Sequence, residues 1–277
     1  MPGPDLHLHS TASDGVMTPG DLVRQAVDLR LPAIAITDHD TVAGTAEALA
    51  AAEGSPLIVI SGVELSAELE DRGIHILGYH IDHTDPELLA ELASLQAMRV
   101  RRAGRIVRAL AADGYSITLD DVLASADGGS VGRAHIAQLL VGAGRASSTK
   151  DAFTRLLGDS APYYVPKVVR TPAAVIGLVH RAGGVAVLAH PGLSGVDDLI
   201  PGLVADGISG IEAYHGSHDA PTRERYERLA ASLGLVVTGG SDYHGEHREG
   251  EIMGTARVPL TVLATLETAR QTRMSTR

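Results

Sequence analysis

Five clusters of histidine and carboxylate, each placed where a short apolar run ends, constrain this chain more than any other feature. They are His7-Leu8-His9, Thr37-Asp38-His39-Asp40, Glu64 followed by His75, Ala189-His190-Pro191, and Gly239-Gly240-Ser241-Asp242-Tyr243-His244. In a strand, side chains two apart point to the same side, so His7 and His9 can close on one metal ion. Polar groups that recur at strand ends, with helical patterns between them, are the signature of a parallel α/β barrel.

The alternation can be followed along the chain. The sequence predicts strands over Asp5 to His9, Pro32 to Thr37, Pro56 to Leu65 and Gly73 to Tyr79. A helix starts near Pro19 with Thr18 as its cap, and an alanine-rich one starts near Val42. From about Asp85 to Val169 the pattern turns helical, with Pro86 to Ala112, Leu119 to Ser125, Gly132 to Val141 and Lys150 to Leu157, and no convincing strand. After Pro172 the alternation resumes, with strands at Val185 to Ala189, Ile208 to Tyr214 and Leu235 to Thr238. The reading is therefore a barrel built from residues 1–84 and 170–277, with residues 85–169 as a helical insertion able to serve as a substrate lid.

Composition narrows the chemistry. The 277 residues include no cysteine, so a metal must be held by nitrogen and oxygen, and there is no thiol nucleophile. A net charge of -11 argues against a surface built to grip duplex nucleic acid or anionic membrane, although clustered cations would change the local sign. With no tryptophan and one phenylalanine, an extended base-stacking platform is not expected, but seven tyrosines leave room to hold one base. The opening Met-Pro-Gly-Pro and the absence of a long apolar run lead us to expect a cytoplasmic protein with no membrane segment.

Several of these residues also have plainer readings. Taken singly, His75, His83, His180 and His247 read as hydrogen-bonded structural histidines. Asp40 reads as the N-cap of the helix near Val42, and Asp38 as a group that orients a neighbour. The Arg99 to Arg108 run reads as a solvated helix face. Arg133 and His135, at a helix start, fit surface positions or phosphate contacts equally well. The joint recurrence at strand ends is what argues for a site.

In order, His-x-His, Thr-Asp-His-Asp, Gly-Val-Glu, Ile-His-Ile-Leu-Gly, Ala-His-Pro and Gly-Ser-Asp-x-His resemble the PHP (polymerase and histidinol phosphatase) family of metal-dependent phosphoesterases. The resemblance covers nearly the whole chain, including Gly132-Arg133-Ala134-His135-Ile136. It is nearest to the branch that dephosphorylates nucleoside 3',5'-bisphosphates, some members of which trim short RNA from the 5' end.

The resemblance implies a distorted (β/α)7 barrel with up to three divalent ions. One would be held by His7, His9, Glu64 and Asp242, a second by Asp14, His39 and His244, and a third by Glu64, His75 and His190. Asp14 stands where other members carry histidine, and it reads equally well as a turn residue. The mixed donor set suits Mn, Zn or Fe. Clustered divalent ions can neutralise phosphate oxygens and supply hydroxide as the attacking group, so no covalent enzyme intermediate is needed. His215 is the candidate general acid.

A substrate with two phosphates, such as a phosphorylated nucleotide or short oligonucleotide, needs a second cationic pocket. Arg133, His135 and Lys167 are the candidates for it, Lys150 and Lys167 being the only lysines. The competing classes are an amidohydrolase acting on a C-N bond and a purely structural metal site. The first commonly uses a bridging strand lysine, which neither lysine here supplies; the second would be closed by protein ligands.

Overall fold

A computed structural model describes residues 3–70, 72–166, 170–245, 252–255 and 258–275. Seven strands follow one another round a single sheet in chain order. They are β1 (Asp5–Leu8), β2 (Ala33–Ile36), β3 (Ile58–Leu69), β4 (Arg72–Tyr79), β5 (Val185–Leu188), β6 (Gly210–His215) and β7 (Val236–Gly240). The helices are α1 (Pro19–Asp28), α2 (Thr45–Ala51), α3 (Pro86–Ala112), α4 (Leu119–Ser125), α5 (Arg133–Gly142), α6 (Thr149–Ala152), α7 (Pro172–Arg181), α8 (Pro191–Ser194), α9 (Ile200–Ala205), α10 (Ala220–Leu233) and α11 (Val262–Ser275).

The sheet nearly closes into a barrel. Just past β7, Asp242 N–H donates to His7 O and His9 N–H to Tyr243 O, each at 3.0 Å. Gly240 makes that approach possible, because a Cβ there would lie 2.2 Å from the Cβ of His7. Leu6, Ala35, Ile60, Leu77, Tyr79, Val185 and Val187 form a buried cluster that also takes in Val258, Val262 and Leu266, the last two from α11. A larger cluster joins β3, β4, β5 and β6 to α3, α7, α9 and α10.

The barrel departs from the parallel expectation at one strand. β4 runs antiparallel to both β3 and β5, whereas the other laddered pairs are parallel. The cause is local, since only residues 70 and 71 separate β3 from β4, far too few for a parallel crossover. Antiparallel running brings the first half of β4 to the barrel end where its neighbours finish. His75 therefore reaches the cluster from within its strand, opposite Ser66 of β3.

Helix starts follow the cap chemistry. Thr18 caps α1, with Pro19 at the first helical position, and the Asp85 side chain accepts the Leu88 N–H at the start of α3. The second helix begins at Thr45 and Asp40 does not cap it. The Asp40 carboxylate instead accepts the Ser66 N–H at 2.9 Å and the Arg99 Nε–H at 2.6 Å. Helices α3 to α6, with a π-helical turn at Phe153–Leu157, share an apolar core of their own around Ile106, Leu110, Val122, Ile136, Leu140 and Leu157. Among the described residues, no helix is long and apolar enough to cross a membrane.

Candidate metal centre

At one end of the barrel the sequence clusters meet. Three groups of side chains present nitrogen and oxygen atoms within 4.8 Å of one another: His7, His9, Glu64 and Asp242; His9, Asp14, His39 and His244; and His39, Glu64 and His75. Glu64 is at the middle. Its Oε1 lies 2.7 Å from His75 Nδ1 and 3.1 Å from His190 Nε2, and its Oε2 lies 2.9 Å from His39 Nδ1 and 3.3 Å from His9 Nε2. Asp242 Oδ1 is 3.1 Å from His9 Nε2 and 3.3 Å from His7 Nε2. Asp14 Oδ1 is 3.3 Å from His244 Nε2. All nine residues proposed as ligands from the sequence thus lie together; His9, His39 and Glu64 each serve two groups, while His39 rather than His190 joins Glu64 and His75, and His190 stands beside Glu64 outside the three groups.

The donor set fits divalent cations. His7 Nε2, His9 Nε2 and Glu64 Oε2 are buried with no hydrogen-bond partner in good geometry, a costly arrangement unless a cation satisfies them. Imidazole and carboxylate donors with no sulfur suit Mn, Zn or Fe. The backbone is also strained at the strand exits, with φ of 51° at Asp40, 24° at His190 and 55° at Asp242. Non-glycine residues rarely take such values, and they concentrate at functional sites.

The ionisation of the cluster reflects its crowding. Burial alone pushes the His7 imidazolium down, but Glu212, Asp242 and Glu64 together lift it well above its ordinary value. Against the same burial cost, His39, His75 and His7 hold Glu64 well below the carboxylate range, and His7, His215, His244 and His9 do so for Asp242. Desolvation keeps His39 below its usual value. The cluster is dense in negative charge that only protons or cations can balance.

Sequence reasoning passed over the residues that fix the ligands. Glu212, fully buried on β6, accepts from His7 Nδ1 at 3.0 Å and from the His190 N–H at 2.8 Å. It points the Nε2 of His7 at the cluster, the familiar work of a carboxylate behind a ligating histidine. Asp5 accepts the Ser241 and Gly254 N–H groups at 2.8 and 2.7 Å. Asp38 does orient a neighbour, accepting from Ser10 N–H, Ser10 Oγ and Ser13 Oγ at 2.6 to 2.7 Å. The only available signal for Glu212 was a charge inside the apolar run Gly210-Ile211-Glu212-Ala213.

The other proposed site residues are spread around this cluster. Ser217 holds the Nδ1 side of His215, with its Oγ at 2.7 Å and its N at 3.1 Å, which turns Nε2 toward Asp242 at 3.5 Å. Arg133 donates to Leu157 O and Asp159, and its guanidinium lies 5.6 Å from the Tyr164 ring. His135 is 4% exposed and its Nδ1 accepts the Gly132 N–H. Lys167 and His247 lie outside the described residues.

The arginine run is a solvated face only in part. Arg101, Arg105 and Arg108 are exposed, but Arg99 reaches Asp40 and Ser66, and Arg102 donates to Val165 O. Tertiary partners turn these two inward, against a run of charges whose sequence gives no sign of them.

Comparison with known proteins agrees with the geometry. Residues 5–158 match the PHP domain model. A 5'-3' exoribonuclease of Haemophilus influenzae is 39% identical over 245 residues, covering 87% of this chain and 89% of that one. A 3',5'-nucleoside bisphosphate phosphatase of Chromobacterium violaceum is 34% identical over 257 residues, covering 90% of each. A solved structure from Bifidobacterium adolescentis, described as a metal-dependent phosphoesterase, superposes with a TM-score of 0.90 at 36% identity, covering 97% of this chain and 98% of that one. Fold and cluster together define a metal-dependent hydrolase of phosphoric esters. The chain belongs to the PHP family.

Proposed function

We propose that this chain removes the 3'-phosphate of nucleoside 3',5'-bisphosphates, using up to three divalent ions, Mn foremost, on the nine clustered ligands. One observation carries the preference for a second phosphate. A cleft beside the cluster, between β3, α3 and α5, is lined by Arg99, Arg102 and Arg133, with Asp40 as the one carboxylate in its lining. Arg99 takes up that carboxylate. Burial, and then the neighbouring Arg133 and Arg99, push the Arg102 guanidinium down to about 10, so it stays charged at neutral pH. Its Nη2 is buried without a hydrogen-bond partner. A cleft with surplus cationic charge and an open donor suits a phosphate, and paired guanidiniums recognise phosphate in a planar, bidentate way.

The cleft adjoins the cluster through Asp40, which follows His39, and through Ser66, which pairs with His75. One substrate with two phosphates can therefore occupy both. When bound, the ions would neutralise the reacting phosphate and lower the pKa of water beside it. His215 is the proton donor we assign to the departing 3'-oxygen: as the imidazolium it would keep Nδ1–H on Ser217 Oγ, 2.7 Å away, and give up Nε2–H on the side facing Asp242. Arg102 and Arg133, flanking the Tyr164 ring at 5.7 and 5.6 Å, hold the 5'-phosphate; His135 and Lys167 complete our substrate-contact set, and α3 to α6 serve as the lid. A nucleotide substrate and the net charge of -11 fit a role without duplex binding, which we place in the cytoplasm.

Phosphate release from adenosine 3',5'-bisphosphate tests this directly, with His9→Ala and metal-stripped protein as inactive controls. Arg102→Met and Arg133→Met should raise KM for the bisphosphate by roughly 10-fold or more while leaving an aryl phosphate nearly unaffected. Equal effects on both substrates would sink the second-phosphate assignment. The exoribonuclease of H. influenzae favours a second reading, in which the same cleft takes the 5'-phosphate of short RNA. Mononucleotide release from a 5'-phosphorylated oligoribonucleotide, faster than release of phosphate from the bisphosphate, would move the assignment there.

A further inference from the structure

The clustered ligands do not share one kind of support. His7, Glu64 and His75 stand on strands, and His9, His39, His190, Asp242 and His244 lie within a few residues of strand exits. Asp14 stands on neither. It lies in the loop between β1 and α1, and that loop is held from two sides. On the barrel side, Asp38 takes hydrogen bonds from Ser10 and Ser13, and Val16 N–H donates to His244 O at 3.0 Å.

On the other side stands the segment from α3 to α6. Ser130 N–H donates to Ala12 O at 2.8 Å. Gly129 comes so near that a Cβ would lie 2.6 Å from Thr11 O. His135 spans the junction: its Nδ1 accepts the Gly132 N–H, and the ring lies near the Ser13 backbone and the Asp14 carboxylate. The second anchor of the same segment is Arg99 on Asp40, next to His39. The first anchor bears on one position, the group formed by His9, Asp14, His39 and His244; the second reaches it through His39, which the His39, Glu64 and His75 group shares. From this loop Asp14 serves that group alone, whereas His9, the first residue after β1, is shared with the group of His7, Glu64 and Asp242.

We infer that the ion position of His9, Asp14, His39 and His244 is completed by docking of the α3 to α6 segment, with His135 as the positioning residue for Asp14. That position is then the exchangeable one, emptied when the segment lifts while the Glu64-centred positions stay filled. The inference rests on the reading of Asp14 as a ligand. Its physical basis is that a loop carboxylate, without a sheet ladder to fix it, must have its orientation supplied by neighbours, and such outer contacts govern metal affinity.

Manganese binding to the full chain, followed by calorimetry and by metal content after gel filtration, tests this in the wild type and four variants. In His135→Ala one class of ion should weaken by roughly 10- to 100-fold while the remainder keep wild-type affinity. Asp14→Asn should lose the same class. His135→Gln, whose amide can both accept from Gly132 and donate to Ser13, should restore most of the binding. Gly129→Ala, which pushes the same contact apart without altering a polar side chain, should repeat the selective loss. Thermal melts of the metal-free proteins separate local loss from unfolding.

Wild-type binding in His135→Ala and Gly129→Ala, with one ion lost in Asp14→Asn, would overturn the inference and leave the barrel as the sole support of Asp14. Equal weakening of every ion in His135→Ala would also overturn it. Wild-type binding in Asp14→Asn would instead remove the ligand reading beneath it.

Discussion

At the scale of single residues the centre is a balance of buried charge. His7 and His190 are both lifted above their ordinary values because, against the burial that lowers them, Glu212, Glu64 and Asp242 favour their protonated forms. Without cations these rings therefore keep protons at pH values where free histidine has shed them. An ion binding there must displace those protons, so apparent affinity for Mn rises with pH through the neutral range and falls as the rings become protonated below it. Calorimetry in buffers of different ionisation enthalpy should count the protons released; affinity flat with pH would refute this account. Glu212→Gln keeps the shape but removes the charge behind His7, and should weaken metal binding by roughly 10-fold. The clustered side chains were legible in the sequence because pairs such as His7 and His9 carry spacing. Glu212 and Asp5 were not, since a single buried carboxylate in an apolar run has no spacing to reveal its partners.

At the scale of elements, the join between α3 and the barrel concentrates the energetics. Burial raises the cost of the Asp40 charge, yet Arg99 and the Ser66 N–H hold its pKa below the ordinary value. Arg99→Met strands that carboxylate and should cost about 3–5 kcal/mol by denaturant unfolding, whereas Asp40→Asn with Arg99→Met should recover part of it. A double variant no more stable than Arg99→Met would show that the pair is not the source of the loss. Because the folded-state pKa of Asp40 is depressed, its contribution is present above the unfolded value and is lost as pH falls through the folded one.

The ends of α1 and α3 could be read from Thr18-Pro19 and Asp85-Pro86, where cap and proline act within one turn. The inward turn of Arg99 and Arg102 could not, because their partners, Asp40 and Val165, lie about 60 residues away in sequence. Strand direction has the same character. Apolar patterning marks β4 as a strand without giving its direction, although the short gap read between Leu65 and Gly73 already excluded a parallel crossover.

For the molecule as a whole, the cations tie stability to composition of the medium. A chelator should lower the melting temperature, since each ion held only by the folded state adds about 2.7 kcal/mol when free metal is 100 times its dissociation constant. His9→Ala should blunt that response, and a melting temperature indifferent to chelator in the wild type would argue against ions at the cluster. The barrel class was legible because the strand-end clusters recur in order through both halves of the chain. The cleft of Arg99, Arg102 and Arg133 was hidden because it draws on α3 and α5, which come together only when the helical segment folds onto β3.

The seam of the barrel sets a schedule for this enzyme's making. Asp242 and Tyr243 bond the backbone of His7 and His9, and the same stretch brings Asp242 and His244 to the cluster. A growing chain thus carries His7 and His9 long before Asp242, their carboxylate partner more than 200 residues further on, is synthesised. Such long-range closure is slow to form and comes late. The ribosome must deliver the whole stretch from His7 to His244 before the centre can be assembled, so a product truncated within it carries histidines but no finished site.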